Sequence, residues 1–276
     1  MGNKIKRKYF IGVFDSGFGG IQILKHIVKE LPEYNYIYLG DTARVPYGSR
    51  SQEVIYNFTT QAVDFLFKKE CQLIIFACNT ASAKALRKIQ REYLPKYYPD
   101  KKVLGIIIPA VEEATSKGHN SIGIIATQGS VSSGTFVNEA KKINSKIKVF
   151  QQACPLLVPI VEAGEEKSEI ADIMLKKYLK PLLAKKIDAL ILGCTHYGIM
   201  ENKIRRIIGK NIEIISEGKI VAGKLKEYLS KHSEIEKMLA KDSKIKFFTT
   251  DLTDGFKTLG SKFFGKKIIS QKVNLD

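Results

Sequence analysis

Two pairs of matched segments constrain this chain more than any other feature. IGVFDSG begins at Ile11 and IGIIATQGS at Ile122, an offset of 111 residues. LIIFACNT carries Cys78 and ALILGCTH carries Cys194, an offset of 116. Each segment is a short apolar run that ends on small polar residues. Runs of this length, rich in Ile and Leu and bounded by turn formers, read as buried strands. Two independent motifs repeated at similar spacing predict two related units.

The rest of the chain extends the pattern. Strands are expected at Tyr9–Asp15, Tyr34–Asp41, Gln72–Asn79, Lys102–Ile108, Ser121–Thr127, Lys148–Cys154, Ala189–Thr195, Glu213–Ser216 and Lys244–Thr250. Helical periodicity lies between them. Ser49 and Gln52 have the spacing of a capping box ahead of Val54, Phe58, Ala62 and Phe65. Ser168 opens another helix, with Pro181 expected to break it. Strand–helix alternation argues for parallel sheets with right-handed crossovers. The expected division is residues 1–100 plus 217–276 as one α/β domain, carrying Cys78, and 101–216 as a second, carrying Cys194.

Composition narrows the function. The four cysteines, Cys71, Cys78, Cys154 and Cys194, form no CxxC and no Cys/His cluster, so neither a zinc site nor a disulfide framework is expected. Cys71 and Cys154 read as core or strand-end thiols without a role. The start is basic, but its apolar run spans only Tyr9 to Phe14, too short for a leader's hydrophobic region. No stretch approaches a membrane span. The reading is a cytoplasmic protein. The net charge of +17 comes from scattered basic pairs without interleaved aromatics, so salt-sensitive adhesion to polyanions is expected and specific nucleic-acid recognition is not.

In open α/β sheets, ligands bind beyond the carboxyl ends of the strands. The polar residues of interest cluster there: Asp15 and Ser16; Asp41; Cys78, Asn79 and Thr80; Thr127 to Ser130; Cys194, Thr195 and His196. DSGFGG is not a dinucleotide fingerprint, because Gln22 stands at the last position. Its glycines read either as a tight turn or as a backbone approach to an anion. A helix N-terminus favours thiolate by about 0.3–1 kcal/mol, up to ~2 when partly buried, so Cys78 is expected about one pKa unit below an ordinary thiol. A phosphatase reading fails, because Lys84 stands where that chemistry needs an arginine. His196 follows Cys194 by two residues and can assist thiol–thiolate exchange.

GVFDSGFGG, YLGDTARVPYG, ACNTASA, LVPIVEAG and LGCTHY, in this order and spacing, resemble the glutamate racemase group of the cofactor-independent aspartate/glutamate racemases. The resemblance spans most of the chain, and CTH rather than CTE favours the glutamate branch. It implies two pseudo-symmetric parallel-sheet α/β domains with the active site between them, a homodimer, no cofactor and no metal. It implies Cys78 and Cys194 as the two catalytic bases, Cys78 acting on D-glutamate and Cys194 on L-glutamate, supported by Asp15, Glu162 and His196. It implies substrate contacts from Asp15, Ser16, Tyr47, Gly48, Asn79, Thr80, Thr127, Ser130, Thr195 and His196. The role implied is supply of D-glutamate for peptidoglycan. Three positions depart from the pattern: Gly198 where proline is usual, Ser130 in place of threonine, and Ser216-Glu217 without the usual aspartate. An aspartate racemase and a basic binding module with a degenerate site are the alternatives.

Overall fold

The computed structural model describes residues 8–275. Ten strands form two sheets, a six-stranded one ordered β10-β9-β2-β1-β3-β4 and a four-stranded one ordered β6-β5-β7-β8. Every pairing is parallel. The strands are β1 (Phe10–Asp15), β2 (Tyr36–Gly40), β3 (Cys71–Phe76), β4 (Lys102–Gly105), β5 (Ser121–Ala126), β6 (Lys148–Ala153), β7 (Ala189–Gly193), β8 (Glu213–Ile215), β9 (Ile245–Thr249) and β10 (Ser270–Lys272). The duplication read from the sequence is visible in the strand order. β2-β1-β3-β4 and β6-β5-β7-β8 follow the same path, so β1 answers to β5 and β3 to β7. β9 and β10 extend the first sheet alone.

Burial explains why the apolar runs became strands. β1, β2, β3 and β7 are buried at every position, as strands covered by helices on both faces must be. One apolar core runs from Ile11 and Val13 of β1 through Ile23 and Leu24 to Val221 and Leu225, and on to Leu190 and Leu192 of β7. The helices Gly20–Glu30 and Glu217–Lys231 pack against each other within it. At about 25 cal/mol per Å² of buried apolar surface, this shared core opposes separation of the two units.

Several expectations shift. β4 hydrogen-bonds to β3, so the junction expected after residue 100 moves beyond Gly105. β4 also ends there rather than at Ile108, because the helix Ile107–Ser116 begins and takes Pro109 in its first turn, where no N–H is needed. The helix Gln52–Lys68 is capped by Ser51, whose hydroxyl accepts from Val54 N at 3.2 Å. Ser49 is used in a preceding 3-10 turn instead. Pro181 does not break its helix, which runs Glu169–Leu183 with Leu175, Tyr178, Leu179 and Leu182 buried along one side. Packing of that face outweighs the lost backbone bond. β10 was not expected, and its sequence, Ser-Gln-Lys, carries no apolar signal. The basic start, residues 1–7, lies outside the described residues. Among the described residues no helix is long and apolar enough to cross a membrane.

Candidate active site between the two sheets

The carboxyl ends of six strands converge on one cavity of about 130 Å³, room for a small polar molecule. Val45 to Ser49 follow β2, Ser16 follows β1, and Cys78, Asn79 and Thr80 follow β3. From the second sheet come Thr127 and Gln128 after β5, Cys154 and Pro155 after β6, and Cys194 to His196 after β7. Both thiols therefore face the same space, one from each sheet. Among the described residues no lysine or arginine lines it.

Cys78 leaves β3 and becomes the N-cap of the helix Asn79–Lys84. Its sulfur accepts from Ala81 N at 3.4 Å and donates to Ser16 Oγ at 3.5 Å. The helix end was expected to lower this thiol. Burial outweighs it: the Cys78 thiol is pushed up to about 11, first by desolvation and then by the Asp15 charge, against the Ser16 and Ala81 hydrogen bonds. Cys194 is raised well above the ordinary thiol value, again chiefly by burial. The backbone N–H of His196 opposes that rise, and the Asp15 charge adds to it. Both thiols therefore rest protonated in the free protein near neutral pH.

A hydrogen-bonded chain backs Cys194. Its sulfur is 3.8 Å from His196 Nδ1, and His196 Nε2 is 3.2 Å from Glu162 Oε1. Glu162 closes the helix Leu157–Glu162 and reaches the imidazole from outside the cavity lining. Asp15 is also behind the lining, fully buried at the end of β1. It accepts from Gly17 N at 3.2 Å and Gly20 N at 3.0 Å, and from the Thr195 hydroxyl at 3.5 Å. Burial raises its pKa, opposed by the His196 charge and the two glycine N–H groups.

The glycines of DSGFGG serve close packing. A Cβ on Gly19 would stand 2.5 Å from Thr195 Oγ1 and 2.8 Å from His196 Nδ1. A Cβ on Gly20 would stand 2.6 Å from Asp15 Cβ. The turn thus lets β1 of one sheet press its polar end against the Cys194-Thr195-His196 turn of the other.

The opposite wall is a hydroxyl cluster. Thr80 Oγ1 lies 2.9 Å from Thr127 Oγ1, which donates to Ser130 Oγ at 3.1 Å. Ser130 is fully buried behind this pair rather than at the cavity. Gly48 sits against Thr127, and Tyr47 lines the cavity while its hydroxyl donates to Asp41 Oδ2. Sequence reasoning missed three features. Cys154 lines the cavity although it was given no role, Pro155 and Val158 supply apolar wall, and Glu217 is a buried carboxyl paired with Asn79. For Cys154 the signal was its place at the end of β6, the equivalent of β2 in the other sheet.

Known proteins resemble this chain over most of its length. The Asp/Glu/Hydantoin racemase family model matches residues 11–224. The chain is 38% identical to a glutamate racemase of Bacillus cereus over 95% of each chain. It is 35% identical to that of Geobacter metallireducens over 94% of this chain and 93% of the relative. The glutamate racemase of Francisella tularensis, solved in complex with D-glutamate, superposes with a TM-score of 0.88 at 34% identity, covering 97% of this chain and 98% of that one. A glutamate racemase isoform of Bacillus anthracis gives 0.89 at 32% identity over 98% of both chains. A model match over most of the sequence, full-length relatives and a cavity flanked by two thiols lead to one assignment: the chain belongs to the Asp/Glu/Hydantoin racemase family.

Proposed function

We propose that this protein is a glutamate racemase that interconverts L- and D-glutamate with two cysteine bases and no cofactor, supplying D-glutamate for peptidoglycan. The observation that carries the reading is the placement of Cys78 and Cys194 on one cavity from the ends of equivalent strands. Inverting a carbon centre requires proton removal on one face and delivery on the other, which two groups from opposite walls perform.

Starting from D-glutamate, the Cys78 thiolate takes the α-proton and becomes a thiol. The electron pair left on the α-carbon takes the proton of the Cys194 thiol from the other face, and Cys194 becomes the thiolate. For the next turnover Cys78 gives its proton to solvent and Cys194 takes one from solvent by way of His196, 3.8 Å away, while Glu162 holds the imidazole in place. The reverse direction exchanges the two sulfurs. High thiol pKa values set a compromise. A thiolate with a conjugate acid near 11 is a strong base for a weakly acidic C–H, but at pH 8 only ~1 in 1000 Cys78 thiols is ionised in the free protein. The Ser16 and Ala81 hydrogen bonds raise that population, and the Asp15 charge lowers it. Neutral donors hold the substrate's carboxylates, since among the described residues no lysine or arginine lines the cavity. Exclusion of water strengthens each of these interactions at the carbanion.

Polarimetry on L- and D-glutamate and L- and D-aspartate tests the assignment. Glutamate of either hand loses rotation without added cofactor, aspartate does not, and Cys78→Ala and Cys194→Ala are each inactive with an unchanged circular dichroism spectrum. Preference for aspartate, or full activity in either cysteine variant, overturns it.

A further inference from the structure

Glu217 is a buried acid that the mechanism above leaves unused. It opens the helix Glu217–Lys231, just past β8 of the second sheet, and is only 3% exposed. Its Oε2 accepts from Asn79 Nδ2 at 2.8 Å. Asn79 directly follows Cys78 at the end of the first sheet. The bond therefore ties the Cys78 turn to the sheet that carries Cys194.

The pairing is incomplete if Glu217 is ionised. Glu217 Oε1 and Asn79 Oδ1 are both buried, and among the described residues neither meets a hydrogen-bond partner. Two acceptors stranded on the two members of one hydrogen-bonded pair are what a single missing proton would produce. A carboxylate is acceptor-only, whereas a carboxylic acid adds one O–H donor. An ionised Glu217 leaves two buried acceptors unsatisfied, which is costly in a low-dielectric interior. A protonated one can give its O–H to Asn79 Oδ1 while Oε2 keeps the bond already present. Burial and the Asp15 charge push Glu217 well above the usual carboxylate range, against the Asn79 hydrogen bond. A carboxylic acid kept neutral in an apolar pocket so that it can donate has precedent in enzyme chemistry.

We propose that Glu217 is a positioning residue: as a neutral carboxylic acid it closes a two-bond ring with the Asn79 amide, and so fixes the Cys78 turn against the Cys194 wall. On the other side of the cavity, the Thr80 and Thr127 hydroxyls join the same two sheets at 2.9 Å. The two links together hold the thiols at a constant spacing. The functional consequence rests on the racemase reading, while the protonation state of Glu217 does not. The competing arrangement is an ionised Glu217 satisfied through a water in the adjoining space of about 10 Å³, which is lined by Gln22, His26, Cys194, Thr195, Ser216 and Glu217 itself, among others.

Glu217→Gln separates the two. Glutamine is neutral, nearly isosteric, and able both to accept from and to donate to an amide. It is expected to keep kcat/KM for glutamate within about threefold of the native enzyme, whereas Glu217→Leu loses about tenfold or more. Infrared spectroscopy of the native protein at neutral pH is expected to show the C=O band of a neutral carboxylic acid, missing from Glu217→Gln. If Glu217→Gln is as impaired as Glu217→Leu while still folded, or if the native protein shows no such band, the proposal is overturned. The infrared result also stands if Glu217→Gln does not fold. A native protein that shows the band but does not racemise glutamate defeats the substrate assignment and leaves the neutral acid in place.

Discussion

His196 Nε2 lies 3.2 Å from Glu162 Oε1, with the other ring nitrogen 3.8 Å from the Cys194 sulfur. The ring is 2% exposed, so its orientation is set by these partners rather than by solvent. The arrangement places an imidazole between the Cys194 sulfur and the Glu162 carboxyl group. Glu162→Gln keeps the shape and removes the carboxyl group that holds the imidazole. The expected loss is about tenfold to a hundredfold in kcat/KM. Because the two enantiomers are equal in free energy, the loss must be the same in both directions, which parallel assays from L- and D-glutamate check. An unchanged rate removes Glu162 from proton handling.

Gly19 tests the contact between the two sheets. A methyl group there would stand 2.5 Å from Thr195 Oγ1 and 2.9 Å from His196 Cε1. Both atoms belong to a buried, hydrogen-bonded turn with little room to move. Gly19→Ala is expected to displace the Thr195-His196 turn and to lower kcat by about a hundredfold, since misplacement by about 1 Å costs on that order. Thermal unfolding together with kcat distinguishes this from general destabilisation. The account expects a loss in kcat much larger than a shift of a few degrees in Tm would explain.

The raised thiols predict two pH effects. The Cys78 thiol titrates near 11, so the thiolate fraction of the free protein rises about tenfold per pH unit below that value. The kcat/KM is expected to climb between pH 7 and 9 rather than level off near neutrality. Stability runs the other way. Cys71, Cys78, Cys154 and Cys194 all have folded values raised by burial above the ordinary thiol value of 9.0. The unfolded chain therefore releases these protons at lower pH than the folded one. Their stabilising contribution is complete below about pH 8.5 and is lost as pH rises through the folded values. Denaturant titrations at pH 8 and pH 10.5 are expected to show a lower midpoint at the higher pH. A flat rate profile, or equal midpoints, contradicts the burial argument.

Most strands were legible in the sequence, because runs rich in Ile and Leu such as Cys71–Phe76 and Ala189–Gly193 are buried on both faces and leave few alternatives. The equivalence of β1 with β5 and of β3 with β7 was legible because polar turn residues follow each at similar spacing. Other features depend on packing that no local pattern encodes. Pro181 stays helical because its helix buries four large side chains on one face. β10 is a polar tripeptide that pairs only because β9 offers a free edge. The Cys78 thiol was misjudged for the same reason. The helix end is local and visible, whereas complete burial beside Asp15 is a tertiary effect, and it is the larger of the two. Glu217 was read only as a departure from the family pattern, because nothing near it in the chain points to Asn79, which is 138 residues away.

The central claim is that two sulfurs work on one carbon from opposite sides, and hydrogen isotope tracing at that carbon tests it most directly. L-Glutamate incubated with the enzyme in deuterium oxide is sampled early, and the deuterium content of each enantiomer is measured. The account predicts that the D-glutamate formed carries deuterium at the α-carbon from its first appearance, delivered by a solvent-exchanged Cys78 thiol, while the remaining L-glutamate stays protiated. D-Glutamate that retains the original hydrogen would show one group lifting and returning the same proton, and would contradict the account.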